Sequence, residues 1–344
     1  TLYTHHNGMR APLPLVPRDA EPPVRVVFVP KTQKAPRVIA IEPSTRQFVQ
    51  QALARRMYSS LRSMYPASLD LYDQKTNGAW AWYGSCSGDV ATLDLSEASD
   101  RLSCDLVMSL VGNRPHLRDG LIAARSRYAE LPRGDIIPLQ KFASMGSALT
   151  FPIQSMVFFS IIVLAGLQTE GTRVFRSLER FSVFGDDIIV PTHLSASAID
   201  LLETFGLKVN QRKSHVSGKY RESCGEEYFD GSDVSIARLT RDVPTTLEDA
   251  DALASTVSFR NFCYGRGLWR TARLLDEDIA RLIPFKPAPF GHPSLSRWTY
   301  LEVRPERLSP SLQRDEIKRP HLRPLGKKYR VDGEGGLLQW FLDK

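Results

Sequence analysis

Phe181-Ser182-Val183-Phe184-Gly185-Asp186-Asp187-Ile188-Ile189-Val190 is the stretch that decides how this chain is read. Two adjacent carboxylates stand between two apolar runs, 181–184 and 188–190. Runs of this kind, separated by Gly and Asp, predict a β-hairpin with the acids at its tip. Carboxylates paired at a fixed tip repel each other unless something positive neutralises them. The expected cation is Mg²⁺, which prefers oxygen ligands and often holds substrate phosphates as well. A Gly-Asp-Asp triplet is short enough to arise by chance, so alone it supports only a metal-binding hairpin.

Upstream, Leu93-Asp94-Leu95-Ser96-Glu97-Ala98-Ser99-Asp100 supplies a first partner. Val90 to Leu95 reads as a short strand leading into a helix near Ser96, with Glu97 in its first turn. Metal-assisted phosphoryl transfer needs carboxylates from separate strands to converge on two ions about 3.5–4 Å apart. A strand-end Asp94 together with Asp186 and Asp187 meets that need. Taken alone, Asp94 and Asp100 read equally well as a helix cap and a surface acid.

Three further segments point the same way. Ser144-Met145-Gly146-Ser147-Ala148-Leu149-Thr150-Phe151-Pro152-Ile153-Gln154 is a glycine loop opening a helix. Thr150 and Gln154 are four apart, so they share a helix face from which a ribose can be hydrogen-bonded. Val29-Pro30-Lys31-Thr32-Gln33-Lys34-Ala35-Pro36-Arg37 sets three cations around two prolines, a stiff loop suited to a triphosphate. Gly206-Leu207-Lys208-Val209-Asn210-Gln211-Arg212-Lys213-Ser214 offers lysines, one of which can protonate a leaving pyrophosphate. Each segment has an ordinary structural reading: a satisfied helix start, a solvated turn, surface cations.

Bulk properties agree with a polyanionic partner. The chain has 344 residues, 42% hydrophobic and 24% charged, with a net charge of +7. Between Arg25 and Arg62 eight Lys or Arg face one acid, and between Arg304 and Arg330 nine face three. The four cysteines at 86, 104, 224 and 263 form no C-x-x-C, so a zinc site is not expected and reduced thiols are. No signal peptide is visible. The longest apolar stretch, 156–167, is read as a buried helix too short to span a bilayer. The start at Thr1 suggests a fragment or processed product.

Elsewhere the pattern predicts strands at 24–29 and 37–41, and a helix over 44–64 with Phe48, Leu53, Met57 and Leu61 on its apolar stripe. A helix over 104–130 interrupted near Pro115 and a buried helix body over 153–167 follow. An amphipathic helix over 195–205 stopped by Gly206 comes next. Two short strands within 226–239, helices over 247–258 and 266–282, and a proline-rich irregular tail complete the expectation.

The order of the segments (basic loop, Asp strand, Ser-Gly-Thr helix, Gly-Asp-Asp hairpin, Lys turn) is the motif order of right-handed RNA polymerases. The chain resembles the catalytic (beta) subunit of the RNA replicase of single-stranded RNA bacteriophages, the leviviruses. Val29-Pro30-Lys31-Thr32 with Arg37 and Glu42-Pro43, Asp94-Leu95-Ser96 with Ala98-Ser99-Asp100, Ser144-Met145-Gly146, Thr150-Phe151 and Phe184-Gly185-Asp186-Asp187 carry the resemblance. Arg221-Glu222-Ser223-Cys224-Gly225, unusual outside phage replicases, narrows it.

The resemblance implies an α/β (α+β) fingers–palm–thumb polymerase with an antiparallel, ferredoxin-like palm sheet. Fingers are expected over 1–75, N-terminally incomplete, and again over 106–140. The palm is expected over 76–105 and 141–240, and the thumb and tail over 241–344. It implies RNA-templated RNA synthesis with two Mg²⁺ ions, Mn²⁺ serving as a substitute. Asp94, Asp186 and Asp187 match metal ligands, and Lys213 the catalytic lysine. Lys31, Lys34 and Arg37 match the triphosphate channel; Asp100, Ser144, Gly146, Thr150 and Gln154 match the nucleotide site. Ser147 stands where the family has Asn, and Gln154 where it has an acid. Implied partners are template and product RNA, ribonucleoside triphosphates, host elongation factors Tu and Ts and a ribosomal protein, with no membrane, in the cytoplasm of an infected bacterium. Two competing readings are a reverse transcriptase, which shares the palm, and a non-catalytic RNA-binding protein using only the basic clusters.

Overall fold

The computed structural model describes residues 21–30 and 36–322, so Lys31 and Lys34 lie outside the described residues. The described residues fall into two compact units, one running to Ser235 and one beginning at Ile236.

The first unit begins with an antiparallel pair, β1 (Val24–Pro30) and β2 (Pro36–Ile41). Helix α1 (Ser44–Met64) and helix α2 (Lys75–Ser87) follow. Strand β3 (Val90–Leu93) leads to the short helices α3 (Ala98–Arg101), α4 (Cys104–Leu110) and α5 (Pro115–Ala124). Strands β4 (Tyr128–Glu130) and β5 (Ile136–Pro138) extend the first sheet in the order β2-β1-β4-β5. Helix α6 (Thr150–Glu170) precedes the hairpin β6 (Ser182–Phe184) and β7 (Asp187–Pro191). Helix α7 (Ser195–Thr204) comes next, and then β8 (Tyr220–Ser223), β9 (Glu226–Phe229) and β10 (Ser232–Asp233).

The centre of this unit is the antiparallel sheet β3-β7-β6. Leu93 pairs with Ile188 and Ala91 with Val190, while Val183 pairs with Ile188. These five join the main core with Ile153, Val157 and Ile161 of α6. The strand period of two turns Val90, Thr92, Ile189 and Ser182 to the opposite face, where α2 packs. With both faces covered, β3 is buried throughout and β7 is buried from Ile188 onward, rather than alternating. Isolated bridges Thr92 to His215 and Leu95 to Val209 lay the 209–215 segment along the free edge of β3. That edge position fixes where the 210–214 turn meets Asp94.

Helix α6 is apolar on most sides because most of it is enclosed, though Leu164 stays 38% exposed. It starts two residues before Pro152 and, at 21 residues, runs beyond the 156–167 stretch that looked too short to cross a bilayer. By length and composition it is long enough to cross one, and 61% of its apolar window is buried within the protein.

Local details correct several expectations. Phe48 is 63% exposed; Ala54, Met57 and Leu61 form the apolar stripe of α1, joined by a buried Gln50. The helix expected near Ser96 begins at Ala98, and Glu97 caps it with φ of 55°. The 104–130 region breaks at Pro115 as its proline requires, but ends in a strand from Tyr128. Neither α2 nor β8 was expected. The α2 sequence, Lys-Thr-Asn-Gly-Ala-Trp-Ala-Trp-Tyr-Gly-Ser-Cys-Ser, is rich in poor helix formers and has no apolar stripe. It is helical because its glycines allow close packing: a Cβ at Gly78 would lie 2.0 Å from Glu226 Oε2, and one at Gly84 2.6 Å from Val90.

In the second unit, helices α8 (Ala250–Gly265) and α9 (Trp269–Ala280) pack through Leu253, Val257, Leu275 and Ile279. Two small sheets follow, β11 (Pro287–Pro289) beside β12 (Arg297–Thr299) and β13 (Arg307–Ser309) beside β14 (Arg314–Glu316). Part of the expected irregular tail is therefore strand-paired.

Candidate active site

The 184–187 turn is built around a glycine that nothing else replaces. Gly185 has φ of 69°, and a Cβ there would lie 2.6 Å from the Phe151 ring. Its N–H donates to Ser155 Oγ at 3.0 Å, tying the turn to α6. Phe184 meets the Phe151 ring at 4.9 Å in a T-shaped contact. The tip is thus fixed by α6 from below, which leaves Asp186 exposed and Asp187 half-buried.

Asp187 continues the β7 alternation onto the α2 face, where Asn77 and Cys224 meet it. Asn77 Nδ2 donates to the Asp187 carbonyl at 3.2 Å, and Asn77 Oδ1 accepts from Ser182 Oγ at 2.6 Å. Burial pushes the Asp187 carboxyl up to about 6, against the Cys224 N–H that stabilises its anion; Asp186 and Asp94 push it further up. Burial and the same carboxylate raise the Cys224 thiol, so it stays protonated and donates.

Asp94 reaches the site from the end of β3. Its N–H donates to Ser214 Oγ at 3.1 Å, its carbonyl accepts from Asn210 N–H at 2.8 Å, and its Oδ2 accepts from Asn210 Nδ2 at 3.0 Å. Burial raises its pKa, Lys213 opposes that, and Asp186 and Glu222 add to it. Of the three basic residues in the 206–214 segment, Lys213 is therefore the one whose charge acts on Asp94.

Three carboxylates from two strands thus share one neighbourhood and sense one another's charge. Among the described residues no three His, Cys, Asp or Glu side chains are spaced to hold a metal ion. The geometry explains the spread: Asp94 is drawn to Asn210 and Lys213, and Asp187 to Cys224. The donor chemistry fits a hard divalent cation, since all three groups offer oxygen and burial of Asp94 and Asp187 leaves their repulsion poorly screened.

The expected nucleotide residues are placed as follows. Gly146 has φ of 126°, and a Cβ there would lie 2.1 Å from the Ala40 carbonyl oxygen. Ala40 N–H donates to the Met145 carbonyl at 2.8 Å, pinning the loop to β2. Thr150 is buried and its hydroxyl donates to the Ser144 carbonyl at 2.7 Å. Gln154 is buried against the acidic turn, its Nε2 3.2 Å from where a Gly185 Cβ would stand. Ser147, in the position where an Asn was the family expectation, donates to Gln50 Oε1 at 3.0 Å. Asp100 is ion-paired with Lys141, and Arg37 is exposed on β2.

Sequence reasoning missed Asn77, Ser155, Asn210, Ser214 and Lys141. Asn210 and Ser214 flank Lys213 in one turn, a signal that was available. Nothing near Asn77 or Lys141 in sequence marks them. Cys224 was noticed only as part of an unusual motif.

The family profile described as RNA replicase, beta-chain matches residues 19–247. The RNA-directed RNA polymerase subunit beta of Qbeta virus (strain MX1) is 38% identical over 215 residues, covering 61% of this chain and 34% of that protein. The corresponding subunit of Enterobacteria phage SP is 37% identical over 263 residues, 76% of this chain and 43% of that protein. The chain therefore spans between a third and a half of the length of these relatives. Among solved structures, the BmCPV RNA-dependent RNA polymerase at elongation state superposes with a TM-score of 0.50 at 12% identity, over 70% of this chain and 24% of that one. That likeness gives the fold as a viral polymerase α/β architecture.

Proposed function

Since the chain belongs to the RNA replicase beta-chain family, we propose that its first unit carries the catalytic centre of an RNA-directed RNA polymerase. The reaction is attack of an RNA 3′-hydroxyl on the α-phosphate of a ribonucleoside triphosphate. The hydroxyl oxygen bonds to the α-phosphorus, the bridging bond to the β-phosphate breaks, and pyrophosphate leaves. The observation that carries the proposal is the meeting of Asp94 with the Gly185-Asp186-Asp187 turn, where burial and mutual repulsion hold the Asp187 carboxyl near 6. Repelling carboxylates held together by burial cost stability, and a polyphosphate enzyme that binds cations has a use for them.

Asp94, Asp186 and Asp187 are the groups that would hold two Mg²⁺ ions, or Mn²⁺ in their place, supplying charge that activates the hydroxyl and steadies the leaving pyrophosphate. Lys213, whose charge acts on Asp94, is assigned to donate a proton to that leaving group. Lys31, Lys34 and Arg37 are assigned to the triphosphate. Asp100, Ser144, Gly146, Thr150 and Gln154 are assigned to the nucleotide, and existing contacts constrain two of these assignments. The Thr150 proton is committed to Ser144, so Thr150 can only accept from a ribose hydroxyl. Asp100 must exchange its Lys141 partner to meet the ligand.

In this reading residues 1–75 and 106–140 are fingers, 76–105 and 141–240 palm, and 241–344 thumb and tail. The protein works in the cytoplasm of an infected bacterium on template RNA. Elongation factors Tu and Ts and a ribosomal protein are its proposed host partners, so the assay is run with and without bacterial extract. Template-dependent incorporation of ribonucleotides is expected with Mg²⁺ or Mn²⁺. Asp186→Asn is expected to lower it at least about a thousandfold while RNA binding persists. No incorporation under either condition, or efficient use of deoxynucleotides, overturns the proposal.

A further inference from the structure

The second unit carries a surface whose chemistry the catalytic proposal does not use. At the corner between α8 and α9, Gly267 with φ of 74° turns the chain sharply. The turn sets Tyr264 and Trp269 4.9 Å apart in a T-shaped contact. Together with Arg270, Arg273, Arg297 and Leu301 they line a concavity of about 920 Å³. Trp269 is 56% exposed and Tyr300 62% exposed. Tyr300 stacks on Tyr264 at 5.5 Å and on Phe290 at 4.7 Å, so the aromatic rings form a ladder that reaches the surface.

The floor of the concavity is preorganised. Arg260 is 2% exposed, holds Asp276 with two bonds of 2.5 and 3.1 Å, and donates to the Trp298 carbonyl at 3.0 Å. Its guanidinium stands 4.8 Å over the Tyr264 ring, fixing the base of the ladder. Asp276 is thereby neutralised from below, and Arg297 approaches it at 3.9 Å. Arg270 and Arg273 are exposed on α9, and among the described residues no ion pair engages either. Trp269 and Arg273 are four apart and Arg270 and Arg273 three apart, so all three share one side of the helix.

We propose that this face binds a single strand of RNA, with an unpaired base stacked on Trp269 and its flanking phosphates on Arg270 and Arg273. Exposed π surface beside unpaired guanidinium groups is the pairing that single strands need and duplexes cannot use, because a duplex hides its base faces. With Arg260 and Asp276 cancelling, the rim keeps Arg270, Arg273 and Arg297 against Glu277 alone, which suits a phosphate backbone and disfavours an acid-free apolar partner. The choice of RNA rests on the polymerase reading; the stacking and charge do not.

The test uses the full chain carrying Asp186→Asn, so that binding is read without synthesis. A fluorescently labelled single-stranded RNA of about a dozen nucleotides is titrated by anisotropy, beside an abasic strand and a duplex of the same length. Trp269→Ala is expected to weaken single-strand binding about tenfold, the equivalent of about 1.4 kcal/mol, and to leave the abasic strand unchanged. Trp269→Phe restores most of the loss, which a merely structural role would not require. Arg270→Gln with Arg273→Gln flattens the salt dependence by roughly 0.7 per charge removed. Single-strand binding that ignores all of these, or a duplex that loses as much as the single strand, overturns the inference. A changed sedimentation coefficient with unchanged RNA binding would assign the face to a protein contact instead. Trp269-dependent binding in this variant with no incorporation by the parent chain sinks only the polymerase reading; incorporation by the parent chain with Trp269-independent binding in the variant sinks only this one.

Discussion

In β6–β7 the two-residue turn is Gly185-Asp186, with φ positive at the glycine alone; in β8–β9 it is Cys224-Gly225, with φ positive at both. The first pattern is that of a type II′ turn and the second that of a type I′ turn. A positive φ costs Gly185 nothing and costs Cys224 about 1–2 kcal/mol. The first hairpin exposes Asp186 and leaves Asp187 half-buried against Cys224. The second hides its charge: Arg221 is fully buried and donates to the carbonyls of Val90 (2.7 Å), Ser217 (3.3 Å), Gly218 (3.0 Å) and Tyr220 (2.7 Å). Backbone carbonyls, not a carboxylate, satisfy that guanidinium, so β8–β9 is locked to the edge of β3. The lock brings the strained Cys224 N–H and thiol to Asp187. In the proposed reading one hairpin carries the chemistry and the other holds it in place.

That division is open to experiment, and the largest effects separate it most sharply. Asp187→Asn is expected to abolish synthesis, at least about a thousandfold, while raising the urea midpoint at pH 8, because it removes a costly buried anion. Arg221→Met should do the reverse in kind. It leaves several buried carbonyls without donors, costs about 3 kcal/mol or more, and lowers activity only in proportion to the unfolded fraction. If Arg221→Met kept full stability, β8–β9 would not be a structural lock.

Gly185→Ala tests the tip itself. Its positive φ and the 2.6 Å approach to Phe151 predict a loss of about 2–4 kcal/mol in chemical denaturation. The smallest effect is the pH dependence. The Asp187 carboxyl titrates near 6 in the folded chain against an ordinary value of 3.8, so the folded state holds a proton that the unfolded state has released. Its stabilising contribution is present below about pH 4 and is lost as pH rises through 6, amounting to at most about 3 kcal/mol. The slope of stability between pH 4 and 6 should flatten in Asp187→Asn, and added Mg²⁺ should restore stability at pH 7 in the parent chain but not in the variant. An unchanged slope would remove burial as the cause.

These outcomes also mark what was legible beforehand. The hairpin at 182–191, the strands at 24–30 and 36–41, and helices α1 and α7 were readable because each rests on a local pattern: an apolar run, a glycine stop, a period of 3.6. Helix α2 was not, because its order comes from Gly78 and Gly84 packing against β9 and β3 rather than from its own propensity. Phe48 was placed on the wrong face because an exposed phenylalanine and a buried Gln50 both run against the usual preference. Gln50 is buried because Ala124, Ser147 and Ala148 satisfy its amide.

For the site, the amino-acid sequence by itself determined the turn, its glycine, the acids it carries and the order of the surrounding segments. Backbone conformation there depends on neighbours in the chain. Tertiary structure alone decided that Lys213, among three nearby cations, acts on Asp94, and that burial pushes the Asp187 carboxyl up to about 6. It also decided that Cys224 supports the acid across the site. Desolvation and charge coupling depend on what stands within a few ångströms in space, and α2, the β8–β9 turn and the 210–214 turn reach those positions only when the chain has folded.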